Sequence, residues 1–290
     1  MHWFILALGS AYFMATEGVL SKALMQKNDR WTAGWLQCAL AAVFLALLLW
    51  DGAHVVFTRE LTLLLIILMP LETLAYWLFL TAIQIAPVSL TFPFLSFTPV
   101  FTILTARLFL GESVSLMGAG GIVLVSAGAY VLQLNLVRES IFAPIRAVFT
   151  NPGSRVMLMV AFLYSITSTL GKKGVLLMGP RHFAVVYVGL FAVVVTVFQV
   201  VRMLSGRSTI HLKGKYGLLA VASGLAMAGM MFTHCLAIEI APVPYMMSVK
   251  RTSMIFAVLY GWIFFKEELI GYRLLGALVM AAGVFLIYSV

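Results

Sequence analysis

Hydrophobic positions along this chain fall into long blocks separated by short polar breaks. A block of about 20 mostly apolar residues has the length of a membrane-spanning helix. Ten stretches fit, over 3–25, 31–50, 61–85, 88–110, 114–136, 155–178, 183–204, 217–240, 243–265 and 269–288. The third and fourth are separated only by Ala86-Pro87, the eighth and ninth only by Ala241-Pro242. Proline suits the first turn of a helix, where its missing N–H costs nothing. Pro93 and Pro99 predict a kink in the fourth helix. The connection 137–154 is polar, basic and proline-containing, and it divides the chain in two.

A single central break invites a search for repeats. Ala82-Ile83-Gln84-Ile85-Ala86-Pro87-Val88 recurs as Ala237-Ile238-Glu239-Ile240-Ala241-Pro242-Val243. At the same offset Phe101, Leu104, Phe109, Glu112, Gly121, Ala127 and Gly128 match Phe256, Leu259, Phe264, Glu267, Gly276, Ala282 and Gly283. Apolar composition alone does not repeat an Ala-Pro-Val and an acidic position in register. The halves are therefore copies, 1–136 and 155–290, joined by 137–154. Each holds five helices, an odd number, so the second is expected to sit inverted relative to the first. The predicted fold is an all-α membrane protein, with ten transmembrane helices as two inverted five-helix repeats.

Composition agrees with embedding of the whole length. Hydrophobic residues make up 63% and charged residues 10%, against about 45–50% and 25% in soluble domains. The first block carries Glu17 and Lys22 and lacks a small-x-small cleavage site, so it reads as a retained helix. Most of the formal charge of +9 lies between blocks, at Lys27, Arg30, Arg138, Arg146, Arg155, Arg202, Arg207, Lys213 and Lys215. Basic loops beside a bilayer face headgroups or set topology, so no nucleic-acid partner is expected. Their tally favours both termini outside the cytoplasm. Cys38 and Cys235 sit inside apolar blocks and read as small buried hydrophobes, with no metal or cofactor implied.

The Ala-Pro-Val helix start, the ending Phe109-Leu110-Gly111-Glu112 and the glycine-rich helix closing each half resemble the EamA family. So do Tyr164-Ser165-Ile166-Thr167-Ser168 leading to Lys172-Lys173, and Lys250-Arg251-Thr252-Ser253 leading to Phe264-Phe265-Lys266-Glu267. That family belongs to the drug/metabolite transporter superfamily, and the resemblance spans essentially the whole chain. It implies a ten-helix inverted-repeat fold, cytoplasmic termini, and export or exchange of small metabolites. The expected setting is a bacterial inner (cell) membrane, with a small-molecule substrate and the lipid bilayer as partners. Monomer and homodimer stay equally open.

A charge near the bilayer centre costs on the order of 3 kcal/mol on insertion scales, whereas one near a helix end can snorkel. Glu17 shares a polar stripe with Ser10, Met14 and Ser21, so that face points inward. It either carries a proton or pairs within the bundle, with Lys22 or a lysine of the sixth helix. Lys172 extends a matching stripe through Ser165 and Thr169 and is a candidate for substrate binding or coupling, or it simply marks a helix end. Glu72 follows Pro70 near the middle of the third helix, with Tyr76 and Phe79 beyond it. A carboxylate, a carbonyl freed by the proline and aromatics together suggest a binding surface.

Lys250 and Arg251 lie about two turns into the ninth helix, too deep to snorkel easily. Glu17 and Glu72 can neutralise them, or a substrate carboxylate or phosphate can. The equivalent first-half positions are Leu95 and Ser96, so this charge is an asymmetric addition to a symmetric frame. His234 is either a proton shuttle or a hydrogen-bonded core residue. Glu112 and Glu267 open interhelical turns and read as structural. Ala220, Gly224 and Ala228, and Ala277 with Ala281, have the spacing of close helix packing.

The leading expectation is a secondary carrier of a small polar or amphipathic metabolite, with an anionic group favoured by the basic pair. A non-transporting assembly or sensor subunit is the alternative. An intramembrane enzyme is the remote one, because no nucleophile–base motif or metal cluster stands out.

Overall fold

The computed structural model describes residues 2–49, 52, 56–86, 91–133, 146, 149–265 and 271–290. Eleven α-helices are present among them. In the first half these are α1 (His2–Leu24), α2 (Arg30–Leu49), α3 (Arg59–Ile85), α4 (Thr98–Leu110) and α5 (Leu116–Gln133). The second half has α6 (Pro152–Met178), α7 (Pro180–Leu204), α8 (Lys215–Ile240), α9 (Val243–Lys250), α10 (Ser253–Phe265) and α11 (Gly271–Tyr288). No strand occurs among the described residues. The expected helix starts at Val88 and Leu269, the turn residue Glu267, and most of the connection 137–154 lie outside them.

Helix ends follow local chemistry. Thr58 caps α3 by accepting from the Leu61 N–H, and Asn151 caps α6 by accepting from Gly153, with Pro152 in the first turn. Gly111 ends α4 at φ 70°, a left-handed conformation that glycine adopts without strain. The kink predicted in the fourth span is a six-residue 3₁₀ segment, Phe92–Phe97, ahead of α4. The ninth span breaks in two at Arg251-Thr252, which the apolar pattern did not reveal.

Seven stretches are long and apolar enough to cross a membrane: α1, α2, α3, Phe92–Leu110, α6, α7 and α8. The other three predicted spans are shorter or interrupted. Helices α5 and α11 have 18 residues each, about 27 Å of helix, and α9–α10 is the broken pair.

The most extensive helix contacts all join one half to the other, namely α5–α11, α1–α8, α3–α6, α2–α8, α2–α7 and α4–α6. Exchanging the halves maps α1–α8 onto α6–α3, and α4–α6 onto the observed contact of α1 with α9 and α10. A two-fold relation therefore governs the packing. Its axis runs between α5 and α11. Gly121 faces the Gly283 carbonyl and Gly128 the Gly276 carbonyl, so these helices cross antiparallel through repeat-matched glycines. A Cβ on Gly121 would lie 2.8 Å from that carbonyl oxygen, which is why both helices keep glycine there. Ala281, expected at a packing face, is exposed; Gly276, Met280 and Gly283 make the contact instead.

The symmetry fails where α3 would meet α7. Gly224 of α8 lets α2 approach as far as Leu40 and Ala41, whereas α3 carries Met69 at the matching position and barely touches α7. An apolar groove of about 550 Å³ remains there, lined by Met69, Pro70, Thr73, Leu74, Trp77 and Val194. It opens on the lipid-facing side.

At the opposite end from the termini, the α1–α2 turn is tied to the α7–α8 connection. Asp29 Oδ1 accepts from the backbone N–H groups of Trp31 (2.9 Å) and Thr32 (3.2 Å), capping α2. Arg202 donates to the same oxygen at 2.9 Å, and Thr32 Oγ1 donates to Oδ2 at 2.7 Å. Partial burial pushes the Asp29 carboxyl up, but the bonds from Thr32 and Arg202 outweigh it and hold the group below its usual range. A depressed native pKa contributes stability that is complete above the unfolded value of about 4 and fades as pH falls through the native one. Asp29→Asn keeps a capping acceptor and removes the charge. At neutral pH it should cost less than about 1 kcal/mol, since the pair is partly solvated. Thermal unfolding from pH 7 downward should show that gap shrinking only in the acid range; a constant gap would contradict the assignment.

Candidate functional site

The site is built around the break between α9 and α10. Pro242 and Pro244 start α9 without N–H groups to spare, and the helix runs only eight residues before Lys250. Arg251 and Thr252 then turn the chain, with the Met254 N–H donating to the Arg251 carbonyl. Cations are favoured beside the carbonyls of a helix C-terminus, which is where this break places Lys250 and Arg251. Both lie about two turns into the ninth span.

Three other helices bring charge to the same point. Glu17 from α1 and Glu72 from α3 each lie within electrostatic range of Lys250. Lys250 Nζ also sits 3.3 Å from Nδ1 of His234 on α8. Thr167 of α6 and Tyr187 of α7 place their hydroxyls beside Glu72. Tyr164 of α6 lies between Glu72, Tyr76 and Arg251. Glu17 has no hydroxyl donor of that kind beside it.

Glu17, Glu72, Tyr76, Tyr164, Tyr187, His234 and Lys250 are all deep in the bundle, yet each is only half-buried. Their partial exposure leaves space among these side chains. Arg251 differs: it is 7% exposed, its Nε is buried without a partner, and no carboxylate among the described residues pairs with it. The lipid-side grooves, including a second one lined by Phe13, Phe44, Leu225 and Phe232, carry no charged residue and are separate from this centre.

Of the residues named from sequence, Glu17, Glu72, His234, Lys250 and Arg251 converge. The polar stripe of α1 does face inward, with Ser10 donating to the Met230 carbonyl of α8. Tyr76 stands nearby, its ring edge-on to Phe191 and its hydroxyl against Gly34 of α2. Pro70 faces the outer groove and Phe79 stacks on Phe92, so neither joins Glu72 in one surface. Glu17 pairs electrostatically with Lys250, not with a lysine of α6. Lys172 is bound elsewhere, to Glu112 at 2.5 Å and to the Ala241 carbonyl at 2.7 Å. Sequence reasoning missed Tyr187 and Thr167 as partners of Glu72. A phenol or hydroxyl in mid-membrane needs a hydrogen-bond partner, and that signal was present in both.

The features define a helical membrane protein with pseudo-two-fold packing and a charged centre. The chain belongs to the EamA-like transporter family, whose model matches residues 1–134 and 151–289, one match per half. It is thus a membrane transporter of the drug/metabolite superfamily, a group of transporters and not of enzymes. A crystal structure of a protein 14% identical in sequence superposes with a TM-score of 0.82, covering 98% of this chain and 96% of that one. At that identity the likeness shows the fold alone. No curated protein matches the chain.

Proposed function

We propose that the chain is a ten-helix secondary transporter, an exporter or exchanger in a bacterial inner membrane. It moves a small polar or amphipathic metabolite that carries an anionic group, by alternating access. The observation that carries this reading is Arg251, a buried guanidinium with no carboxylate partner among the described residues, next to the half-buried Lys250. Leaving a charge buried and uncompensated costs several kcal/mol, and a ligand carboxylate or phosphate on the fork removes that cost. Glu17, Glu72 and Lys250 then form the rest of the binding surface, with His234 bonded to Lys250.

The antiparallel glycine contact of α5 and α11 supports the inversion. A two-fold axis relating antiparallel helices lies perpendicular to them, hence in the plane of a membrane they cross. A site on such an axis can be exposed to either side by rocking. Thermal-shift screening of the purified protein against metabolite classes, followed by counterflow in proteoliposomes, tests the proposal. The stabilising compounds should be anionic or zwitterionic and should show trans-stimulated exchange. Binding without exchange would indicate a sensor and overturn the transport reading.

A further inference from the structure

The repeated Ala-Pro-Val has no role in the charged centre, yet in the second half it is held by the shortest charged contact described. Lys172 of α6 donates from Nζ to Glu112 Oε1 at 2.5 Å and to the Ala241 carbonyl at 2.7 Å. The other oxygen of Glu112 accepts from the Val243 N–H at 2.8 Å. That N–H is a donor at the start of α9, where Pro242 and Pro244 have none to offer. Glu112, just past the end of α4, thus caps a helix of the other half.

These contacts join two packed groups of helices. Helix α1 packs against α8 and α10, α6 packs against α3 and α4, and α9 touches both α1 and α4. Lys172 and Glu112 belong to the second group, Ala241 to the first, and Val243 begins the helix between them. The tie lies at the end of the bundle that carries the chain termini. Helix α9 is eight residues long, about 12 Å; its first residue is held by Glu112 and its last is Lys250.

We propose that Lys172 and Glu112 form a latch on the Ala241–Val243 junction that closes this end of the transport path, and that α9 links it to the ligand charges. This rests on the transport reading above. A ligand drawn onto Lys250 and Arg251 pulls the far end of α9, and the near end carries the Val243 N–H away from Glu112. The contacts of Lys172 and Glu112 are charge-assisted and made together, so the end opens or closes as a unit. The counterpart positions Val88 and Glu267 lie outside the described residues, and the latch is assigned at the terminal end alone.

The test is a spin-label distance across that end. Ile5 on α1 and Leu176 on α6 are 68% and 58% exposed and belong to different groups. Gly9 meets Thr233 in the α1–α8 contact, so Ile5, one turn further out, lies toward the Ala241 end. Both are replaced by labelled cysteine in a Cys38→Ala, Cys235→Ala background and studied in nanodiscs by double electron–electron resonance. Glu112→Gln and Lys172→Gln should each add a longer-distance population, raising the open-to-closed ratio by at least about tenfold. The double variant should add no more than either single, as for two residues acting in one contact. Folded variants with the wild-type distribution overturn the latch. So does loss of the folded protein in both variants, because a static scaffold tie behaves that way. Altered distances in a protein that gives no counterflow would keep the latch and overturn the transport reading instead.

Discussion

Arg251→Gln should abolish transport, with a loss of about 100-fold or more, while leaving the ligand-free protein as stable as the wild type or more so. The two halves of that result have one cause. Truncating a buried partner of a charged ligand typically costs about 2–5 kcal/mol of binding, which is the origin of the expected loss. In the ligand-free protein the guanidinium has a buried, unpaired Nε and no carboxylate among the described residues. Its removal orphans nothing and relieves a desolvated charge. Lys250→Gln should give the opposite stability signature. It too should stop transport, but it leaves Glu17 and Glu72 without their shared cation and His234 without its 3.3 Å partner, so the melting temperature should fall. Counterflow paired with thermal unfolding of both variants checks the contrast. If Arg251→Gln instead unfolds the protein, the guanidinium belongs to a structural network and the anion-binding reading fails.

The contrast also shows what the sequence could and could not reveal about the site. Charges deep in apolar blocks are costly, so Glu17, Glu72, Lys250 and Arg251 stood out by depth alone. Which of them meet depends on helix rotation and on the break at Arg251-Thr252, and neither is written in hydropathy. The third-helix proline misled for that reason: Pro70 is two residues from Glu72 but on another face, against the outer groove. Lys172 was drawn toward the ligand by its stripe with Ser165 and Thr169. The stripe is real, with Thr105 of α4 bonded to Thr169 at 3.0 Å, but its last member lies beside Glu112.

The fold was more legible. Register-perfect repetition of Gly121 and Gly128 as Gly276 and Gly283 marked the helices that cross on the two-fold, because only glycine allows that backbone approach. The failure of symmetry at α3–α7 was legible in principle as well, since Met69 occupies the position of Gly224. Glu112 read as a turn residue, and it is one; its role as a cap on a helix of the other half needed the three-dimensional arrangement.

The two carboxylates of the charged centre differ in restraint, and that difference predicts which one couples transport to protons. A group that carries a proton through each cycle must lose and regain it without dismantling its surroundings. Glu72 has the hydroxyls of Thr167 and Tyr187 beside it as donors, and protonating it forfeits part of their support. Glu17 has no hydroxyl donor of that kind beside it, and the cation that faces it is Lys250. We therefore expect Glu17 to be the exchangeable group, and Glu72 the fixed anion that stays beside Lys250 when Glu17 is neutral. Glu17→Gln should leave a transporter whose rate no longer varies with pH, its log–log slope falling from about 1 to about 0 as expected for one titrating site. Glu72→Gln should lower the rate at every pH yet keep the slope. Initial rates in proteoliposomes between pH 5.5 and 8.5, clamped to remove the membrane potential, separate the two. A slope retained in Glu17→Gln and lost in Glu72→Gln would reverse the assignment, and a slope retained in both would place the coupling proton on neither carboxylate.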